Sequence, residues 1–152
     1  MTFNRMSWGV KTSFRSYVEA AEGTITLSDG AIRAADGTFV FNVLPGADLS
    51  ITPDGNATGS ARFQGSVTFE AHGGMLRATL AELGLEAGAD GIVLSALEGP
   101  TNKNRCVIAT LGRAEIGENG AATMGAAITL EGMFQIADNY PPGTALDPVR
   151  LD

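Results

Sequence analysis

The chain has 152 residues, a length that suits one domain with a real hydrophobic core, so we predict a single domain over residues 1–152. Its content of 44% apolar and 18% charged residues is ordinary for a globular protein. The net charge of −7 excludes general nucleic-acid binding, because no basic stripe is available to meet phosphates. No apolar run reaches membrane-spanning length, and the first residues lack a signal peptide. As written, the sequence favours a cytoplasmic location, or an exported chain whose signal has been removed.

The first predicted element is a short helix near the N-terminus. Its apolar stripe has helical spacing and consists of Val10, Phe14, Tyr17, Val18 and Ala21. Ser7 is the predicted N-cap, and Gly23 is placed to end the helix. Ser13 and Tyr17 are four residues apart, so their hydroxyls share one face. Tyr17 is either a half-buried core tyrosine bonded to the backbone, or a tyrosine whose hydroxyl faces a cavity.

The rest of the chain has the pattern of short strands separated by turns that are rich in glycine. The most regular part is the strand 67–72, in which Val67, Phe69 and Ala71 face one way; Gly73 and Gly74 then predict a tight hairpin. Residues 138–148 are predicted to be a loop, with a last strand around Val149 and Leu151. The predicted fold class is therefore mainly β: one antiparallel domain, sandwich-like or barrel-like, with a short N-terminal helix.

The small numbers of histidine and cysteine residues exclude most of the common kinds of catalytic site. With one histidine and one cysteine, the chain cannot assemble a zinc site of the usual kinds. Cys106 lies in an apolar run, where a small buried hydrophobe is the expected role. His72 stands at a strand end beside two glycines, either as a solvated polar residue or where a bulky group can approach. No phosphate-binding loop and no nucleophile elbow are present.

Paired-carboxylate hydrolysis stays formally possible with 17 acidic residues, although no pair of them stands out. The unusual feature is that the chain has only two tyrosines and one histidine. A phenolate oxygen is a hard anion that suits ferric iron, and tyrosinate is an established haem ligand. A free phenol has a pKa of about 10, so ligation needs the metal and a hydrogen-bond partner to favour the anion. A nearby imidazole could supply that hydrogen bond.

Three segments carry a recognisable pattern. Residues 7–18 (SWGVKTSFRSYV), 65–76 (GSVTFEAHGGML) and 140–148 (YPPGTALDP) resemble, in order, the opening, central and closing motifs of the HtaA-type haem-binding domain of actinobacterial haem uptake. Together they span nearly the whole chain. The resemblance implies an all-β domain with a small helical part that binds one haem in a groove beside the N-terminal helix.

The resemblance also implies roles for individual residues. Tyr17 matches the axial ligand of the haem iron, and His72 matches the residue that hydrogen-bonds its phenolate oxygen. Ser13 matches a residue that holds a haem propionate, and Tyr140 matches a further tyrosine near the pocket. The implied cofactor is ferric haem b.

These residues predict a haem-binding protein for haem uptake, transfer or storage, rather than an enzyme. Its expected partners are haem and other haem carriers or a haem transporter. Two other classes stay open: a haem-free module that binds another ligand or protein, and a haem-dependent enzyme. Family members are typically exported and associated with the cell envelope, which contrasts with the cytoplasmic location expected from the sequence as written.

Overall fold

A computed structural model describes residues 3–98, 104–137 and 139–152. Most of the described chain forms strands, which in chain order are β1 (Arg5–Trp8), β2 (Thr24–Ser28), β3 (Ile32–Arg33), β4 (Phe39–Asn42), β5 (Ser50–Ile51), β6 (Ala57–Thr58), β7 (Ser60–Arg62), β8 (Ser66–Ala71), β9 (Leu76–Ala81), β10 (Gly84–Gly88), β11 (Gly91–Leu97), β12 (Arg105–Leu111), β13 (Glu115–Ile116), β14 (Ala122–Ile128) and β15 (Ala145–Leu151). The helical elements are α1 (Thr12–Ala20), α2 (Leu130–Gln135) and a 3-10 turn (His72–Gly74).

The strands form one large and two small sheets. Ten strands make the main sheet, in the order β3-β4-β1-β15-β14-β12-β11-β10-β7, with β13 paired to β14. A three-stranded sheet has the order β2-β8-β9, and β5 pairs with β6. Every strand pair in the described ranges is antiparallel. The predicted mainly antiparallel β fold with a short N-terminal helix is therefore confirmed.

One hydrophobic core joins the main sheet, the three-stranded sheet and helix α1. In β8 the predicted alternation holds, because Val67, Phe69 and Ala71 are all buried. The Phe69 ring lies 5.8 Å from the ring of Phe39 in the main sheet and 4.9 Å from that of Phe14 on α1. Helix α1 is thus packed through an aromatic cluster, which leaves its other face for a site.

Helix α1 begins later than the sequence pattern predicts. Ser7 is not its N-cap, because residues 5–8 form β1, which pairs with both β4 and β15. Met6 and Trp8 are fully buried two residues apart, a strand period rather than a helical one. Val10 then has a φ of 63°, which is rare for a β-branched residue and interrupts the chain before the helix.

The C-terminal end of α1 is close to its predicted position. The helix ends at Ala20, and the amide of Gly23 donates to the carbonyl of Val18 over 2.8 Å. A Cβ on Gly23 would lie 2.3 Å from the carbonyl oxygen of Glu70. Glycine is therefore required here because the chain passes closely over β8.

A second helix, α2, was not predicted. Thr129 caps it by accepting a hydrogen bond of 3.0 Å from the amide of Gly132. Gly132 packs so closely on β12 that an added Cβ would lie 2.1 Å from the carbonyl oxygen of Ile108. Residue 138 of the loop predicted over 138–148 lies outside the described part of the chain, and the prediction was wrong at its end, because β15 begins at Ala145. The predicted strand around Val149 and Leu151 is confirmed.

Two further expectations concern burial and membrane spans. Cys106 is buried in β12, as predicted, and burial raises the pKa of its thiol, which makes the reactive thiolate less available. Of the helices in the described part of the chain, none has the length and apolar character needed to cross a membrane.

Candidate functional site

The structure brings Tyr17 and His72 together, although they are 55 residues apart in sequence. The Tyr17 hydroxyl lies 2.6 Å from Nε2 of His72, a strong hydrogen bond in which either atom can donate, depending on the tautomer of the imidazole. The two ring centroids are 5.8 Å apart. Tyr17 is 48% exposed, so its hydroxyl is open to an incoming ligand. Of the two interpretations of Tyr17, the structure therefore favours the hydroxyl that faces a cavity.

His72 occupies an unusual backbone position. It follows the last residue of β8 and opens the 3-10 turn, with a φ of 55°. Histidine is one of the few residue types that are enriched in this left-handed region, which still costs about 1–2 kcal/mol for a residue with a side chain. Gly73 and Gly74 continue the turn with positive φ angles before β9 begins. The hairpin β8–β9 thus holds the imidazole at its tip, beside helix α1.

Helix α1 carries Tyr17 and is fixed at its first turn by Asp147 from the opposite end of the chain. One carboxylate oxygen of Asp147 accepts a hydrogen bond of 2.9 Å from the amide of Thr12, and the other accepts from Arg15 over 2.7 Å. The Arg15 guanidinium is buried and also donates to the carbonyl of Gly9 over 2.6 Å. This network replaces a local N-cap and sets the position of the helix.

A groove of about 620 Å³ lies beside the Tyr17 hydroxyl. Phe14 and Tyr17 line the groove from α1. Most of the other lining residues lie in β9 or just before it, or in α2 or just after it. The lining residues are Phe14, Tyr17, Met75, Leu76, Arg77, Met133, Phe134, Ile136, Ala137, Asn139 and Tyr140. Met75 and Phe134 are 91% and 70% exposed, an unusual state for such large apolar side chains. Large apolar and aromatic side chains around an open groove, together with polar atoms in its surface, are typical of a small-molecule site.

Ser13 and Tyr140 meet at another part of α1. Their hydroxyl oxygens are 3.5 Å apart, which is a long and weak contact. The Tyr140 ring packs edge-on against Phe14, with centroids 6.2 Å apart. The ammonium of Lys11 lies 5.4 Å from the centroid of the Tyr140 ring. The closing motif therefore reaches the opening motif, and both border the groove.

The four residues singled out in the sequence form two pairs, Tyr17 with His72 and Ser13 with Tyr140. Sequence reasoning missed the contribution of α2, and with it Met133 and Phe134. Thr129 is a favourable N-cap residue and Glu131 places an acid in the first turn, a pattern that could have indicated this helix. The position of Arg77 in the groove also went unnoticed, although the alternation along β9 could have suggested it.

Comparisons with known proteins agree with this description. A family model described as Htaa, the HtaA family, matches residues 4–152. The C-terminal domain of HtaA from Corynebacterium glutamicum is similar in structure, with a TM-score of 0.71 and 29% identity over 98% of this chain and 95% of that one. A comparison with curated proteins found no match.

Two further solved structures from Corynebacterium glutamicum share the fold. The N-terminal domain of HtaA has a TM-score of 0.76 and 24% identity, over 99% of this chain and 96% of that one. The heme-binding protein HtaB has a TM-score of 0.68 and 18% identity, over 98% and 91% of the two chains. At these identities the likeness concerns the fold alone.

Proposed function

Because this chain belongs to the HtaA family, we propose that it binds ferric haem in the groove beside α1, with the Tyr17 oxygen as the axial ligand of the iron. The observation that carries this proposal is the hydrogen bond of 2.6 Å between the Tyr17 hydroxyl and His72 at the edge of the groove. One structural neighbour that shares this fold, HtaB, is a heme-binding protein.

The residues present fit a haem. The volume of the groove, about 620 Å³, falls in the usual range for small-molecule sites, and most of the side chains that line it are apolar or aromatic. Tyr17 supplies a hard oxygen donor, which ferric iron prefers. When bound, haem would supply a ferric centre that favours the phenolate over the phenol. Ser13, beside Tyr140, is the proposed contact for one propionate.

The hydrogen bond also accounts for the proton that Tyr17 must lose to become an anion. When His72 is neutral and accepts the hydrogen bond, its Nε2 lies 2.6 Å from the Tyr17 oxygen and can act as the base that takes this proton. Once it has moved, the imidazolium N–H donates back to the phenolate oxygen, so charge and protons both balance. The same N–H orients the oxygen, as partners of metal ligands commonly do.

We place the protein among haem carriers or stores rather than enzymes. The chain has one histidine, and it is bonded to Tyr17, so no second imidazole is available for acid–base chemistry on a bound haem. A phenolate ligand weakens on protonation or on reduction of the iron, and this suits a protein that gives up its haem. Its partners would be a haem donor and a haem acceptor, such as other carriers or a transporter.

Titration with haemin, followed by absorption, tests the proposal. The parent should bind one haem per chain with a high-spin ferric spectrum. Tyr17→Phe keeps the ring and removes the ligand, so affinity should fall more than about 100-fold, beyond the roughly 10–100-fold that a supporting partner contributes. The matched control Tyr140→Phe removes only a long contact and should cost less than about 5-fold. A Tyr17→Phe variant that binds haemin like the parent would contradict the assignment, and a parent that does not bind haemin would favour a haem-free module.

A further inference from the structure

The groove contains an unexpected positive charge. Among the described residues that line it, Arg77 is the one that carries a charge at neutral pH, and no lining residue in those ranges is acidic. The whole chain has a net charge of −7, so a positive group as the one charge among the described lining residues is not what the composition would lead one to expect. A cation that faces an apolar ligand site is commonly there to meet an anionic part of the ligand.

Among the described residues, the ion-pair partner of Arg77 is Glu70, and this pair is loose. Its ion pair with Glu70 spans 4.0 Å, which is too long for a hydrogen bond. The side chains of Arg77 and Glu70 are 63% and 41% exposed, and ion pairs this exposed contribute little in water. The guanidinium therefore keeps donors for a carboxylate, which it matches in shape.

The position of Arg77 links it to the iron-binding pair. It lies on β9, opposite Glu70 of β8, in the hairpin whose tip holds His72. Ser13 lies on α1, the other wall, so Arg77 is a second polar contact from a different element. Haem carries two propionate carboxylates, and both are ionised at neutral pH.

We propose that the Arg77 guanidinium binds a carboxylate of the ligand, so that the groove selects tetrapyrroles that carry free carboxylates. This assignment rests on the proposed function, since it presumes a haem in the groove. It adds a source of specificity to iron ligation: Tyr17 recognises the metal, whereas Arg77 recognises the acidic edge of the ring. A tetrapyrrole with the same metal but without free carboxylates would bind less tightly.

The test compares haemin with its dimethyl ester, in which both propionates are neutral, under one solvent condition. Affinities are measured for the parent, Arg77→Gln, Arg77→Lys and the matched control Arg150→Gln; Arg150 is also exposed but does not line the groove. Arg77→Gln should weaken haemin binding about 3- to 10-fold. The ion pair between Arg77 and a propionate is partly shielded from water by the porphyrin ring, which strengthens it. The same substitution should leave the affinity for the diester within about 1.5-fold of the parent's, since no carboxylate remains to contact.

The controls separate this assignment from general effects of charge. Arg150→Gln removes the same charge and should change neither affinity, whereas Arg77→Lys should recover part of the preference for haemin. An equal loss for both probes in Arg77→Gln, or no loss for either, would overturn the role of Arg77. In those cases an unchanged high-spin spectrum would leave the proposed function intact. A parent that binds neither probe would overturn both proposals.

Discussion

Helix α1 is held in two contrasting ways. At its first turn the contacts are buried: Arg15 is 8% exposed, and Asp147 joins it to Thr12 through hydrogen bonds of 2.7 and 2.9 Å. Less than two turns later, Tyr17 is 48% exposed and bonded to His72, which is also on the surface. In the first region the charged groups are hydrogen-bonded within the protein, whereas in the second the Tyr17 oxygen can be reached by a ligand.

This difference indicates two roles: the buried contacts hold the helix in place, and the exposed pair is available to bind a ligand. A buried charged network is costly to break, so it fixes the helix in one place. An exposed pair adds little to folding, and its atoms remain available for exchange with a ligand. The helix can therefore hold Tyr17 at a constant position beside the groove. Substitutions in the two regions should affect different measurements.

The largest expected effect is on stability, at the buried end. Asp147→Ala should lower the free energy of unfolding by about 2–4 kcal/mol, because it leaves the buried Arg15 guanidinium unpaired and removes the cap of α1. Urea unfolding followed by circular dichroism measures the change. The matched control is Arg5→Ala, which breaks an exposed pair with Asp152 and should cost less than about 1 kcal/mol. Equal losses in the two variants would mean that the Asp147 network is not a special support.

The next effect is on binding, at the exposed end. His72→Ala should leave haem bound through Tyr17 but weaken it roughly 10–100-fold, the range for partners of metal ligands. Because the backbone of His72 is left-handed, His72→Asn serves as a control that tolerates this conformation and still removes the imidazole. Haemin titration should give similar losses for both variants. Parent-like affinity in both would make His72 only a polar residue at a strand end.

The acid sensitivity of binding should change in the same variant. If Tyr17 is the ligand, protonation of its oxygen should release haem, and a hydrogen bond from the imidazole N–H should oppose that protonation. Without that hydrogen bond the oxygen takes up a proton more easily, so His72→Ala should lose haem at a higher pH than the parent. Absorption during a stepwise acid titration of the two complexes gives the midpoints. A midpoint that stays the same, or moves to lower pH, would contradict this role of His72.

The smallest effect is expected at Ser13. Its hydroxyl is exposed and 3.5 Å from that of Tyr140, so little in the protein depends on it. Ser13→Ala should reduce haem binding by about 0.5–1.5 kcal/mol, the usual contribution of one hydrogen bond, with stability unchanged. Ser16→Ala, on the exposed surface of the same helix, is the control and should change neither haem binding nor stability. A loss at Ser13 as large as that in Tyr17→Phe would mean that Ser13 does more than hold a propionate.

The sequence predicted the parts of this arrangement that depend on local pattern. Alternation in β8 and the two glycines after His72 indicated the hairpin, and helical spacing placed Tyr17 at the edge of a buried stripe. The single histidine and the two tyrosines narrowed the chemistry to a phenolate and an imidazole. The motifs that resemble the HtaA domain then joined these residues into one site, which spacing alone could not do.

The parts that the sequence did not predict depend on long-range contacts. The cap of α1 comes from Asp147, 135 residues away from Thr12, so the local search for a cap chose Ser7 instead. Helix α2 has only six residues and follows β14 almost directly. The apolar pattern of the strand continues into the helix, so the sequence did not reveal this helix, which lines the groove. Pairing of β15 with β1 and β14 likewise turned part of a proline-rich segment into a strand.

In the proposed complex the Tyr17 oxygen binds the iron, and His72 supports that oxygen. Electron paramagnetic resonance of the ferric haem complexes of the parent, Tyr17→Phe and His72→Ala tests this directly, because it reports the ligand field of the iron. If Tyr17 is the ligand, the parent should give a high-spin signal, His72→Ala should give the same signal, and Tyr17→Phe should lose or replace it. A low-spin, nitrogen-ligated signal that survives in Tyr17→Phe and disappears in His72→Ala would show that His72 is the ligand and would contradict the account.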